Sequence, residues 1–412
     1  MSQAAPPGAA RNPRIPFDLD PRRLVAPLLA LLGLIIVAWL TLGLLTGQLG
    51  LPSSGGKPGP GVVPTAAPSN VVVVDPRVTV PGSIVYVKAG NVWIQSGKEA
   101  HQLTSDGQAS MPSWSPDGAW IYYIETTDEI GYFPTGGVVR RYAMTVPNVQ
   151  RVRADGSGKP ELIATGRFRQ GRYTWFYWLR EPVLSPDGRT IALISDAPNP
   201  LQSDVVIQLM DLQTRKLTKP RLADTSGFGH QDPAWSPDGK QLLYVRNDRD
   251  AARGAPVIYR YNLSTKRAAV LSGQGYLAPA WSRDGRFVAA TRTDSFGTDI
   301  VILDAQKGTE LLRLTDDGRS WSPVWSPKGD AVAYLHLESG IVDLRMIPLT
   351  GTAPNWTVGD TLNLTQLSGL DGASRPGWFI PPDQLPALPP APPALTPTAA
   401  PAGSASPGSS GP

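Results

Sequence analysis

The sequence predicts an all-β fold: a six-bladed β-propeller of four-stranded blades, preceded by one N-terminal transmembrane helix. Three observations predict it. A Pro-x-Trp-Ser-Pro-Asp-Gly segment recurs along the chain, short apolar runs trail each copy, and a charge-free apolar stretch lies near the N-terminus. Periods of about 40–50 residues with strand patterning are the mark of propeller blades.

The repeat opens at Pro112-Ser-Trp114-Ser-Pro-Asp-Gly118 and returns as Pro182-Val-Leu184-Ser-Pro-Asp-Gly188, with Leu in place of Trp. Pro233-Ala-Trp235-Ser-Pro-Asp-Gly239, Pro279-Ala-Trp281-Ser-Arg-Asp-Gly285 and Pro323-Val-Trp325-Ser-Pro-Lys-Gly329 follow, and Pro376-Gly-Trp378 keeps the Pro and Trp but loses the turn. Starting Pro to starting Pro, the spacings are 70, 51, 46, 44 and 53. Ser-Pro-Asp-Gly suits a type I turn, with Ser first, Pro presetting φ, and Gly fourth. The apolar runs behind it, such as Trp120–Ile124, Ile191–Ile194 and Leu242–Val245, read as buried or half-buried strands. A further strand follows, as in Asp299–Asp304, and another ends most repeats, as in Leu312–Thr315. The motif Trp residues read as core between adjacent blades, and the motif Asp residues as turn formers. Residues 84–104 carry strands without the motif, and Pro376-Gly-Trp378 carries the motif without strands. Together they make one blade, which joins the two ends and removes open sheet edges.

These segments, with the trailing Val152-Arg-Ala-Asp-Gly-Ser-Gly-Lys-Pro-Glu-Leu-Ile163, resemble the WD-like propeller repeats of the TolB family over about residues 82–381. The resemblance implies the propeller fold and a place in the bacterial envelope. TolB proteins carry a small α/β domain before the propeller, where this chain has an apolar stretch and a linker. The repeat is also similar to the propeller lids of prolyl oligopeptidase-type enzymes, but the G-x-S-x-G elbow of their hydrolase domain is absent.

Residues 24–46 hold no charge and are long enough for a helix to cross a bilayer. Arg11, Arg14, Arg22 and Arg23 precede them, so the positive-inside rule puts residues 1–23 in the cytoplasm and the propeller outside it. A cleaved signal peptide is the competing reading; its apolar region is normally about 7–15 residues, shorter than this run. Residues 47–80 read as a Pro/Gly/Ser linker, 81–382 as the propeller, and 383–412 as a disordered Pro/Ala-rich tail.

The chain has no Cys, which excludes disulfides, thiolate metal sites and Cys nucleophiles. Its three His are far apart, and no metal or cofactor motif is present, although Ca²⁺ held by carbonyl and Asp oxygens leaves no linear motif. Between Arg140 and Arg180 lie nine Lys/Arg and two Asp/Glu, so the basic character is local. The segments before each motif Pro fall at one place in every blade and gather on one face. They supply the candidate partner-binding residues: Arg172, Tyr173, Trp175, Trp178, Phe228, His230, Tyr276, Arg319, Trp321 and Arg375. Aromatic residues and Arg are the types enriched at binding hot spots. An insertion at Thr127–Pro147 adds Tyr132, Phe133 and Tyr142 as a flap. The expected partner is a protein or peptide of the envelope, with the membrane met through the N-terminal helix and no nucleic acid. The alternative is a propeller enzyme or lectin acting on cell-wall glycan or peptide, with carboxylates such as Asp232 as acid or base. No paired-carboxylate motif supports it, so the chain is read as a non-enzyme.

Overall fold

The Ser-Pro-Asp-Gly segment and its variants set the geometry of blades 1 to 5. In the first copy Ser115 Oγ donates to Asp117 Oδ1 at 2.5 Å and accepts the Trp120 N–H at 2.9 Å. Asp117 Oδ1 also accepts the Ala119 N–H at 3.0 Å, so one short polar pair absorbs the donors freed by the reversal. The second, third and fourth copies repeat the pattern with Ser185–Asp187, Ser236–Asp238 and Ser282–Asp284, each at 2.6 Å. In the fifth copy Lys328 stands where the others have Asp. There Ser326 Oγ donates instead to Asp330 Oδ1, at 2.6 Å.

The computed structural model describes residues 79–198, 200, 204–222, 229–247 and 256–388. The apolar run 24–46, most of the linker, most of the tail and the candidate Phe228 lie outside these. No helix among the described residues is long and apolar enough to cross a membrane.

The strands form six antiparallel blades. Blade 1 holds Ala109–Trp114, Trp120–Thr135, Val138–Arg153 and Glu161–Thr165; blade 2 holds Arg180–Leu184, Thr190–Ser195, Val206–Asp211 and Leu217–Thr218. Blade 3 holds His230–Trp235, Gln241–Arg246, Val257–Asn262 and Arg267–Gln274; blade 4 holds Tyr276–Trp281, Phe287–Asp294, Gly297–Asp304 and Glu310–Arg313. Blade 5 holds Ser320–Trp325, Ala331–Glu338, Ile341–Thr352 and Leu362–Asn363, with Asn355–Val358 as an added hairpin arm. Blade 6 is the split one: Gly377–Phe379 pairs with Val80–Lys88, followed outward by Asn91–Gly97 and Glu99–Gln102. The ring closes as the sequence predicts, with Ile84 opposite Trp378.

Apolar side chains fill the spaces between blades. One cluster joins Leu243, Val245 and Ile258 of blade 3 to Val288, Ala290, Val301 and Leu303 of blade 4. Three of the motif Trp residues stitch adjacent innermost strands together. Trp114 Nε1 donates to Gly377 O at 3.0 Å, Trp235 to Val183 O at 3.0 Å, and Trp281 to Ala234 O at 3.2 Å. Each acceptor is the residue after the motif Pro of the preceding blade, so the core reading of these Trp holds and has a polar component. Blade 2 has no such donor, since Leu184 holds the position.

The Thr127–Pro147 insertion is not a loose flap. It lengthens the second and third strands of blade 1 into one continuous hairpin, paired from Trp120↔Arg153 to Thr135↔Val138. The segment Arg167–Gln170 and Tyr173–Phe176 forms a second hairpin, and Thr174 pairs with Tyr132. Two insertions distant in sequence thus build one sheet that projects beyond the blade. Past residue 382, Pro382–Gln384 makes a single 3-10 turn, and Pro386 O accepts Arg283 Nη1 of blade 4 at 2.6 Å. The ordered contacts therefore run beyond the sequence-derived end of the propeller.

Candidate functional site: the mouth of the central channel

The first strand of each of blades 1 to 5 carries a bulge just before the motif Pro. Register shifts fall at Ser110/Ser113, Arg180/Val183, Gln231/Ala234, Leu277/Ala280 and Trp321/Val324. The residue preceding each Pro is left-handed: Met111 φ 53°, Glu181 51°, Asp232 56°, Ala278 50° and Ser322 53°. That conformation is uncommon for residues with a Cβ, and bulges often re-aim side chains beside functional sites. It leaves each bulge N–H needing an acceptor outside its own ladder.

Neighbouring blades supply it. The Glu181 N–H meets Met111 Sδ at 3.3 Å, Asp232 N–H meets Glu181 Oε2 at 2.5 Å, and Ala278 N–H meets Asp232 Oδ2 at 2.8 Å. Ala278 offers no acceptor, so Ser322 N–H turns to Thr291 Oγ1 at 2.9 Å. Met111 N–H closes on Ser374 Oγ at 2.9 Å. The sixth blade contributes Arg375, also placed before its Pro. Its Nη2 donates to Pro279 O of blade 4 at 2.7 Å, and its Nη1 lies 3.7 Å from Asp232 Oδ1 of blade 3. The guanidinium therefore spans the channel from one side of the ring to the other.

Inside this belt is a cavity of about 440 Å³ lined by all six blades. Motif prolines such as Pro112, Pro182, Pro233 and Pro376 and the indoles of Trp114 and Trp281 form its wall, and Glu181, Asp232 and Arg375 its polar rim. Burial, and next the Asp232 carboxylate, push the Glu181 carboxyl up to about 7.

The sequence-derived candidates do not assemble at one place. Among the described candidates, Arg375 alone lines the channel. Trp175 is the centre of the projecting sheet, 5.0 Å from Phe133, 5.7 Å from Tyr142 and 5.4 Å from Phe176. Arg172 lies 5.9 Å over the Tyr173 ring on the same hairpin. Trp178 is 47% exposed and lines a separate cavity of about 230 Å³ with Arg180, Asp204 and His230. His230 itself is buried; its Nδ1 accepts the Ile207 N–H at 3.2 Å and its ring packs 4.6 Å from Tyr244. Burial, helped by Arg246 and Lys219, pushes its pKa down to about 3, so it is a neutral, structural imidazole. Tyr276 is engaged within blade 4, its hydroxyl donating to Glu310 at 3.0 Å. Trp321 Nε1 donates to Gly372 O at 2.8 Å and joins blade 5 to the segment leading into blade 6. Arg319 is exposed at the surface. Glu181 carries none of the aromatic or Arg signal that marks the other pre-motif segments. Alignment of the residues before each motif Pro would have found it. Among the described residues no three His, Cys, Asp or Glu gather as a metal site would need.

Comparison with known proteins follows the same lines. An uncharacterized protein of Agrobacterium fabrum is 33% identical over 161 residues, 37% of this chain and 45% of that protein. The chain thus matches under half the length of this curated relative. The structure of TolB from Acinetobacter baumannii superposes with a TM-score of 0.51 at 21% identity, covering 72% of this chain and 66% of that one. A structure assigned as TolB from Agrobacterium tumefaciens gives 0.50 at 18% identity, covering 74% and 96%. At such identities these likenesses speak for the fold. Residues 163–359, from the last strand of blade 1 into blade 5, match the family model of the TolB beta propeller domain, so the chain carries a TolB-like β-propeller.

Proposed function

We propose that this chain is a protein-binding scaffold of the cell envelope. Residues 24–46 tether it to the membrane, the propeller stands outside the cytoplasm, and an extended segment of a partner protein seats in the mouth of the channel. The channel carries the reading. It is concave, walled by proline and indole, and rimmed by only three charged groups, as suits an apolar segment with one or two polar anchors. Arg375 meets a partner carboxylate or backbone carbonyl, and Glu181 with Asp232 meets a cationic group. The same carboxylates favour catalysis less: Glu181 Oε2 and Asp232 Oδ2 each already accept a backbone N–H of the next blade.

A photoreactive phenylalanine in place of Trp281, in the channel wall, tests the seat. The control carries it in place of Val270, exposed on the outermost strand of blade 3. In intact cells the expected result is a discrete cross-linked partner from the first position and none from the second. Equal cross-linking from both, or none from Trp281, refutes the channel assignment. Protease added outside spheroplasts is expected to digest the propeller; a native N-terminus near residue 50 rules out the tether.

A further inference from the structure

The projecting sheet of blade 1 adds two strands to the four that make up the blade. Its strands run in the order Val138–Arg153, Trp120–Thr135, Tyr173–Phe176, Arg167–Gln170, and the last of these pairs on one side only. The outer side of Arg167–Gln170 is a sheet edge, where the Arg167 N–H meets Thr165 Oγ1 at 3.1 Å and the other outward backbone groups are directed away from the sheet.

The sheet is two-faced. Trp175, Phe133 and Tyr142 pack together on one face, beside the buried Met144. The pairings Arg141↔Tyr132, Tyr132↔Thr174 and Thr174↔Arg169 place these four residues in one row across the other face. Arg141 and Arg169 are exposed, and Tyr132 is 44% exposed. A hairpin that served only to cover the blade would not present this row to solvent.

Its charge is one-sided. Arg140, Arg141, Arg167, Arg169 and Arg172 lie on these hairpins, against Asp128 and Glu129. Glu129 is taken by Arg167 at 3.1 Å, and Asp128 accepts the Thr145 hydroxyl at 2.8 Å. Basic residues on an edge ordinarily repel a second copy of the same edge. They do not repel a strand of opposite charge, and directly opposed unlike charges stabilise cross-strand pairing.

We propose that the Arg167–Gln170 edge is a second binding site, which takes an extended acidic segment of a partner protein as an added strand. Main-chain hydrogen bonds to the edge give the affinity; carboxylates at alternate positions, with one beside Arg169, give the selectivity. The Gly171-Arg172 turn, with Gly171 at φ 58°, holds the edge straight up to Gln170 and brings Arg172 to its end. The site is separate from the channel and stands or falls without it.

The probe is a fluorescent, end-capped octapeptide of alternating Glu and Val, added to the full chain. The expected result is saturable binding that weakens as ionic strength rises from about 0.05 M to about 0.5 M. The Lys–Val counterpart does not bind, nor does a Glu–Val peptide N-methylated at alternate amides, which keeps its charge but cannot pair. Arg169→Glu with Arg172→Glu lowers affinity on the order of tenfold or more, Arg169→Lys largely restores it, and Arg375→Ala in the channel leaves it unchanged. An unchanged melting temperature shows that these variants fold. Equal binding of the N-methylated peptide overturns strand addition, leaving only charge. Absence of Glu–Val binding overturns the site, and binding of anionic phosphatidylglycerol vesicles in its place makes the basic face a membrane contact.

Discussion

The residue scale is dominated by one position, the residue before each motif Pro. Met111, Glu181, Asp232, Ala278 and Ser322 share a left-handed backbone and no side-chain chemistry, so no motif search sees them as a set. What unites them is the bulge, and the bulge is invisible until strands are paired. Glu181 is the most consequential member. Its folded carboxyl sits near 7 against 4.5 for a free Glu, so its protonated form stabilises the fold. That contribution is complete below about pH 4.5 and is lost as pH rises through about 7. Glu181→Gln keeps an acceptor for the Asp232 N–H and does not titrate. Urea midpoints from pH 4.5 to 8 are therefore expected to fall more for the wild type than for the variant, by up to about 3 kcal/mol in unfolding free energy. Parallel curves would show that the carboxyl is not perturbed. A second prediction concerns the stitches between blades. Trp235→Phe keeps the aromatic core but removes the indole donor to Val183 O, and is expected to cost about 1–2 kcal/mol in a denaturant titration. Trp325→Phe is expected to cost less, because Trp325 Nε1 has no hydrogen-bond partner among the described residues.

At the scale of the element, the repeat made the blades readable because it fixes a turn chemistry and a strand start together. Ser-Pro-Asp-Gly, or a copy with one residue changed, ends the innermost strand and begins the next in five blades, so strand positions follow from counting. Glycine at the fourth turn position offers a controlled comparison. Gly118, Gly188 and Gly239 share φ values of 69°, 68° and 68°. A Cβ on Gly239 would meet its nearest neighbour at 3.7 Å, an ordinary contact, whereas one on Gly118 would fall 2.1 Å from the Phe379 ring. Both Ala substitutions carry the same backbone penalty, about 1–2 kcal/mol. Gly118→Ala is expected to be the more destabilising, with the excess in melting temperature reporting the fit of the closing strand against blade 1. Equal losses would show that Phe379 moves aside freely. The projecting sheet was half legible. Its aromatic and Arg content marked the region, but the pairing of Tyr132 with Thr174 joins segments that no local pattern connects. This is why Trp175, read as a surface ligand, is the packing centre of the sheet.

For the whole molecule, composition and period were enough to give six blades and the split sixth. They did not give the channel, whose lining comes from the same position in blades far apart in sequence. The split blade makes its own prediction. Deleting residues 377–388 removes the innermost strand of blade 6 and bares the edge of Val80–Lys88. The product is expected to elute as oligomers and to bind a hydrophobic dye; a monomer with native melting behaviour would show that closure is dispensable. The closure also orders events in time. Trp378 Nε1 donates to Pro81 O at 2.8 Å, across 297 residues of chain. During synthesis the first strands to leave the ribosome have no inner neighbour until nearly the last residues of the propeller emerge, and so remote a contact forms slowly. The nascent ring spends its making as an open crescent, and its N-terminal strands are the part most in need of a chaperone.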